Sequence, residues 1–196
     1  KKEMKTLYVF DLDGVLIDSK DNMEMSFNSL NTGRPFEDYF KLIGKPFKDI
    51  LTEMGILTDQ DQLMVEYNYH SQENSDLVKF YDGVEQHLKY LKSQGKKIAV
   101  VTSKHVDRTH DILSKLDVEF DFICCPTEGL RGKPSPDQLL YTLAHCNTSP
   151  CDAVYVGDMI VDMECAEASG VDFIFAEYGY GEIECCWNRA KSIQSV

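Results

Sequence analysis

From Gly83 onward the chain alternates between two kinds of segment, and that alternation limits the folds open to it more than any other feature. VEQHLKYLKSQ has the spacing of an amphipathic helix, KKIAVVTS is a short apolar run, and VDRTHDILSKL is helical again. FDFICC, DAVYVGD and VDFIFA continue the series as apolar runs, separated by the helical segments SPDQLLYTLAHC and DMECAEAS. Strands that are apolar on both faces and joined through helices build a parallel sheet covered on both sides. LYVFDLD, residues 7 to 13, adds a buried strand ahead of the series and runs into an acidic turn. The expected fold class is therefore α/β, built on a parallel sheet.

The stretch from Ser19 to about Lys79 breaks the pattern. Helical pieces such as FEDYFKLI and KDILTEMGI are interrupted by Gly33, Pro35, Gly44, Pro46 and Gly55. These residues read as a small helical lobe inserted after the first strand, with residues 1–18 and 80–196 forming the core and 19–79 the lobe. A chain of 196 residues accommodates one core and a modest insertion of this kind.

Composition narrows the function classes. A net charge of -13 argues against a nucleic-acid binder, which needs clustered Lys and Arg for phosphate contacts. No apolar run approaches membrane-spanning length, so a membrane partner is not expected. The opening KKEMKTLYVF lacks the apolar segment of a signal peptide and starts on Lys1 rather than Met, which leaves room for preceding residues. Seven cysteines, at 124, 125, 146, 151, 165, 185 and 186, show no CxxC spacing. An odd count without a secretory signal suggests reduced thiols in a cytoplasmic protein. Cys124 and Cys125, at the end of an apolar run, read as packing residues.

Ligands in open parallel sheets bind beyond the carboxyl ends of the strands. Here those ends carry Asp11 and Asp13, then Thr102 and Ser103, then Gly157 and Asp158, while the RGKPSPD segment adds Lys133. Asp158 and Asp162 are spaced i, i+4 and share one face at the start of a helix. Four carboxylates in a small volume repel one another unless cations compensate. Lys133 supplies one positive charge. A hard divalent ion taking oxygen ligands supplies the rest, and magnesium suits carboxylates, a carbonyl and a substrate phosphate.

DLDGVLIDS, VVTSK, RGKPSPD and VGDMIVDMECAEASG together resemble, in order, the four motifs of the haloacid dehalogenase superfamily of phosphohydrolases. The resemblance covers Leu7 to about Gly181. It implies a Rossmann-like core with a helical cap, an aspartyl-phosphate mechanism and a small phosphorylated metabolite as substrate. By this resemblance Asp11 is the nucleophile and Asp13 the general acid and base. Thr102 and Lys133 hold the phosphoryl oxygens, and the metal site comprises Asp11, Asp13 (through its carbonyl), Asp158 and Asp162. Ser103, next to Thr102, is expected either to touch the phosphate through its backbone N–H or to cap the following helix.

The segment SGVDFIFAEYGYGE is similar to the corresponding stretch of phosphoglycolate phosphatases. Dehalogenases of the fold lack the second aspartate of the first motif, whereas Asp13 is present. Beta-phosphoglucomutases, the alternative phosphotransferase reading, usually carry an acidic residue where Gly157 stands, and their cap arginine aligns with Phe47. A non-catalytic binding relative is the remaining alternative, against which stands the completeness of the motif residues. Within the lobe, Lys45 is the residue expected to reach an anionic group on the substrate. His70 and His105 read as structural, and Trp187 with Cys185 and Cys186 is expected to cover the core.

Overall fold

Strand β1, Leu7–Phe10, is four apolar residues with no polar face, so it can only sit where both sides are covered. The structure, a computed structural model, describes residues 5–196; the first four residues of the opening segment lie outside the described residues. β1 lies inside a six-stranded sheet with β4 (Lys97–Val101), β5 (Phe122–Cys124), β6 (Ala153–Gly157), β7 (Asp172–Ala176) and β8 (Arg189–Ala190). The order is β5-β4-β1-β6-β7-β8, and each neighbouring pair is parallel.

The period-two geometry of a strand sorts these apolar residues onto opposite faces. Tyr8, Phe10, Ile98, Val100, Val154 and Val156 point into one cluster, closed by α5 (Val84–Ser93) and α6 (Val106–Leu113). Leu7, Val9, Ala99, Val101, Ala153 and Tyr155 point into the other, closed by α7 (Asp137–His145) and α8 (Ile160–Ser169). The expected Rossmann-like α/β core is thus present.

Residues between the first strand and α5 leave and rejoin the core through a two-stranded antiparallel ribbon, β2 (Ile17–Asp18) against β3 (Lys79–Phe80). Helices α1 (Lys20–Asn28), α2 (Phe36–Phe40), α3 (Phe47–Glu53) and α4 (Gln60–Glu73) lie between its strands. They share an apolar cluster of their own, with Phe27 stacked on Tyr39 at 4.8 Å and Phe47 against Tyr67 at 5.0 Å. No helix among the described residues is long and apolar enough to cross a membrane.

Two features depart from expectation. β8 is too short for any hydrophobic period to announce it. Trp187 is fully exposed and Cys185 is exposed as well, so this segment does not cover the core. The loop from β7 to β8 is instead anchored by Ile183 and Ala190, both buried, which leaves the residues between them facing solvent. Cys124 and Cys125 are buried as expected, and all seven cysteines are free.

Phe10→Ala, a truncation at a fully buried central position, is expected to cost about 3–5 kcal/mol of stability. Trp187→Ala is expected to change it by no more than about 0.5 kcal/mol. Denaturant unfolding of both variants checks the pair, and a comparable loss from each would contradict this description of the core.

Candidate active site

Each strand contributes its functional side chain just past its last ladder residue. Asp11 follows β1, and its N–H still donates to the Val156 carbonyl at 2.9 Å. Thr102 follows β4, donating to the Cys124 carbonyl at 3.0 Å. Asp158 follows β6. The parallel register therefore delivers these residues to one end of the sheet.

Lys133 sits at the centre of this cluster, 1 % exposed. Its ammonium lies 3.2 Å from Asp11 Oδ1 and 2.7 Å from Asp162 Oδ1, and it donates to the Tyr155 hydroxyl at 3.2 Å. Burial alone pushes a lysine pKa down, but the charges of Asp11 and Asp162 outweigh it and hold Lys133 above its ordinary value. Both Asp162 oxygens are engaged. Oδ1 meets Lys133, and Oδ2 accepts the N–H groups of Asp158 and Met159 at 3.1 Å each. Asp162 thus stands behind the site and orients it.

Asp11, Asp158 and Asp162 each offer an oxygen within 4.8 Å of the others. Burial, reinforced by the Asp162 charge and opposed by Lys133, pushes the Asp11 carboxyl up to about 8. Burial and the charges of Asp11 and Asp162 likewise raise Asp158 well above the carboxylate range. Asp158 Oδ2 accepts the Tyr180 N–H at 2.8 Å, while Oδ1 is buried with no partner. An orphaned carboxylate oxygen beside two further carboxylates and a single lysine fits a hard divalent cation.

Asp13 behaves differently from Asp11. Its side chain turns away from the acidic cluster, accepting from the Ser19 hydroxyl and pairing with Lys104 Nζ at 3.0 Å. Gly14 permits that turn. Its φ is +84°, and a Cβ there would lie 2.1 Å from Asp158 Oδ2. Gly179 and Gly181, in the YGYG segment, are equally confined, since a Cβ at either would come within 2.4 Å or 2.1 Å of Asp158 atoms. Gly157 also lacks room, with Asp162 Cβ 2.4 Å from the position of any side chain there.

The predicted phosphate-contact residues meet the lobe. Thr102 is buried, its hydroxyl accepting the Lys104 N–H at 3.1 Å. The Ser103 hydroxyl donates to the Gly44 carbonyl at 2.6 Å. A Cβ on Gly132 would strike Pro46 at 2.2 Å, so the 44–46 segment is seated directly on the core. A cavity of about 1100 Å³ lies between core and lobe, walled by Asp11, Asp13, Thr102 and Ser103 on one side and by Tyr39, Phe47 and Tyr67 on the other. Lys45 also lines it, with Nζ bound to Glu53 at 2.6 Å. His105 caps α6 by accepting the Asp107 N–H, and His70 packs against Tyr69.

Sequence reasoning missed three contributors. Lys104 was visible in VVTSK but had no assigned partner. Tyr180 joins three segments, its hydroxyl accepting the Ser19 N–H and donating to Asp18 while its own N–H serves Asp158. Arg108 shares the buried face of α6 with Ile112, four residues on, and a cation on an apolar stripe was the available signal.

The model of haloacid dehalogenase-like hydrolases matches residues 8–176. The tyrosine-protein kinase PtkA of Mycobacterium tuberculosis is 31% identical over 191 residues, covering 93% of this chain. The chain spans 65% of that relative's length. The phosphoglycolate phosphatase of Aquifex aeolicus is 31% identical over 180 residues, or 88% of this chain and 84% of that protein. A putative phosphoglycolate phosphatase structure from Lactobacillus plantarum superposes with a TM-score of 0.84 at 22% identity, covering 97% of this chain and 96% of that one. That likeness concerns the fold.

Magnesium is expected to stabilise the protein in a pH-dependent way. Burial pushes the Asp11 carboxyl up to about 8 in the fold, against 3.8 for an ordinary aspartate, so the unfolded chain releases its proton first. Stability of the cation-free fold therefore falls as pH rises from about 4 towards 8. A bound divalent ion removes that penalty by favouring the ionised carboxylates. The rise in Tm on adding magnesium should be larger at pH 8 than at pH 5. Calorimetry showing no rise, or equal rises, would contradict the cation assignment.

Proposed function

The chain belongs to the haloacid dehalogenase-like hydrolases, and on that premise we propose that it is a magnesium-dependent phosphatase acting on a small phosphorylated metabolite through an aspartyl-phosphate at Asp11. The observation that carries this reading is the separation of the two DLD carboxylates. Asp11 is buried against Lys133 at the base of the cavity, while Asp13, beside Lys104, is 20% exposed. Two carboxylates in contrasting surroundings divide the nucleophile's task from that of the acid and base.

Asp11 attacks phosphorus and the phosphorus–oxygen bond to the leaving group breaks, with Asp13 giving that oxygen a proton. Asp13 then takes a proton from water as the water oxygen attacks phosphorus and frees Asp11. Thr102, the 103 backbone and Lys133 hold the phosphoryl oxygens in this scheme, since the Ser103 hydroxyl is committed to Gly44. Asp11, Asp13, Asp158 and Asp162 form the magnesium site, and the ion when bound draws negative charge from those oxygens.

Residues 19–79 act as a cap over the core of 1–18 and 80–196, closing the cavity against water during transfer. Lys45 contributes from the cap wall as a specificity residue, moderated by its Glu53 partner. Phosphoglycolate is the first substrate to try, given the Aquifex relative. A mutase-like alternative is disfavoured by Gly157, where the packing against Asp162 leaves no space for an acidic side chain. Seven free thiols support a cytoplasmic setting.

Asp11→Asn is expected to lower turnover of p-nitrophenyl phosphate by about 10³-fold or more while keeping the wild-type circular dichroism spectrum. Beryllium fluoride should modify Asp11 in the wild type and nothing in the variant. Substantial turnover by purified Asp11→Asn would refute the assignment.

A further inference from the structure

Among the described residues five cationic side chains line the cavity, and each pairs with a nearby carboxylate. Lys45 binds Glu53, Lys48 binds Asp61, Lys104 binds Asp13, and Arg131 binds Asp137. Arg108 differs from the other four in what its pairing leaves over. Nη1 lies 3.0 Å from Asp111 Oδ2, and Asp111 is 44% exposed. Nη1 also reaches Gln72 Oε1 at 3.3 Å, and Nε donates to Ser71 Oγ at 3.2 Å. Nη2, with two N–H donors, has no partner, although Arg108 is only 2 % exposed. It is the one buried side-chain nitrogen without a partner on the cavity wall among the described residues.

Its place in the fold sharpens the point. Arg108 belongs to α6, the core helix that follows the Thr102–Lys104 turn, whereas Ser71 and Gln72 belong to the last turn of α4 in the lobe. Ser71 is itself fixed by Asn22, since its hydroxyl donates to Asn22 Oδ1 at 3.0 Å and its carbonyl accepts from Asn22 Nδ2 at 3.0 Å. A buried polar chain from α1 through α4 to α6 therefore holds the guanidinium rigidly. A buried cationic donor held in place yet lacking an acceptor matches an anionic oxygen brought by a ligand.

We propose that Arg108 reads a second anionic group, carboxylate or phosphate, on the leaving group of the substrate. This rests on the phosphatase reading and narrows the substrate class to monoesters that carry such a group. Nη2 donates to its oxygen, and because Arg108 already spans core and lobe, an occupied site joins substrate, α4 and α6 in one network. Arg108 is a specificity residue; the transfer steps at Asp11 and Asp13 do not pass through it.

The test compares kcat and KM of the wild type, Arg108→Lys and Arg108→Met on 2-phosphoglycolate, xylulose 1,5-bisphosphate and p-nitrophenyl phosphate. The third offers no second anion. In Arg108→Met the selectivity ratio, kcat/KM on the preferred anionic ester over that on p-nitrophenyl phosphate, is expected to fall by about 10- to 100-fold. The fall should come mainly through KM, and Arg108→Lys should recover part of it. Preference for phosphoglycolate identifies a carboxylate, and preference for the bisphosphate a phosphate. If Arg108→Met fails to fold, the same ratio in Arg108→Lys, and its inhibition by 2-phosphoglycolate relative to inorganic phosphate, decide the matter. An unchanged ratio overturns the proposal, as do equal losses on all esters or a wild type that shows no preference for either anionic ester. A wild type inactive on all three overturns the phosphatase reading itself, and this inference with it.

Discussion

The buried ammonium of Lys133 is the constraint around which the site is arranged. A lysine that is 1 % exposed persists only if its charge is met at close range. Asp11 and Asp162 meet it, and Tyr155 completes the set. Those partners come from the end of β1, from α8 and from β6, so a single charge ties together three elements. One positive charge cannot offset both carboxylates, and Asp158 beyond them keeps a buried oxygen without a partner. The cluster therefore carries a surplus of negative charge that a further cation would balance. Removing Lys133 would expose two buried carboxylates to each other, the kind of change that costs about 3–5 kcal/mol.

Space around Asp158 is governed with equal strictness. Gly14 comes from the turn after β1 and Gly179 and Gly181 from the YGYG segment, and each places backbone where a Cβ would collide with Asp158. Packing backbone this closely excludes water and explains why Asp158 is fully buried although it lies at the open end of the sheet. It also gives the YGYG segment a physical purpose. Its glycines admit the close approach, and Tyr180 closes the gap by donating its N–H to Asp158.

The sheet was legible because its strands are apolar on both faces, a pattern with few alternative explanations. Asp11, Thr102, Lys133 and Asp158 were legible because strand ends in such a sheet share one edge. What escaped notice depends on contacts between distant segments. Nothing local marks Lys104 as the partner of Asp13, or Tyr180 as the residue linking Ser19, Asp18 and Asp158. Trp187 was misplaced because bulk and apolarity favour burial only when a neighbouring surface is available, and Ile183 and Ala190 had already anchored that loop. β8 pairs through two residues, too few for an alternation to repeat even once.

The β2–β3 ribbon carries a consequence for how such a chain can change over generations. Because the helical lobe departs and returns on adjacent, paired strands about 5 Å apart, the sheet senses only the ribbon and not the length or content of what it encloses. Insertions, deletions or wholesale exchange of residues beyond Asp18 and before Lys79 leave the strand register untouched. The hydrolytic core and the substrate-facing insert can therefore diversify at separate rates. That independence ends where the lobe touches the core, at Gly44 and Pro46 and above all at Arg108, whose contacts to Ser71 and Gln72 oblige any replacement lobe to present matching acceptors at the same place.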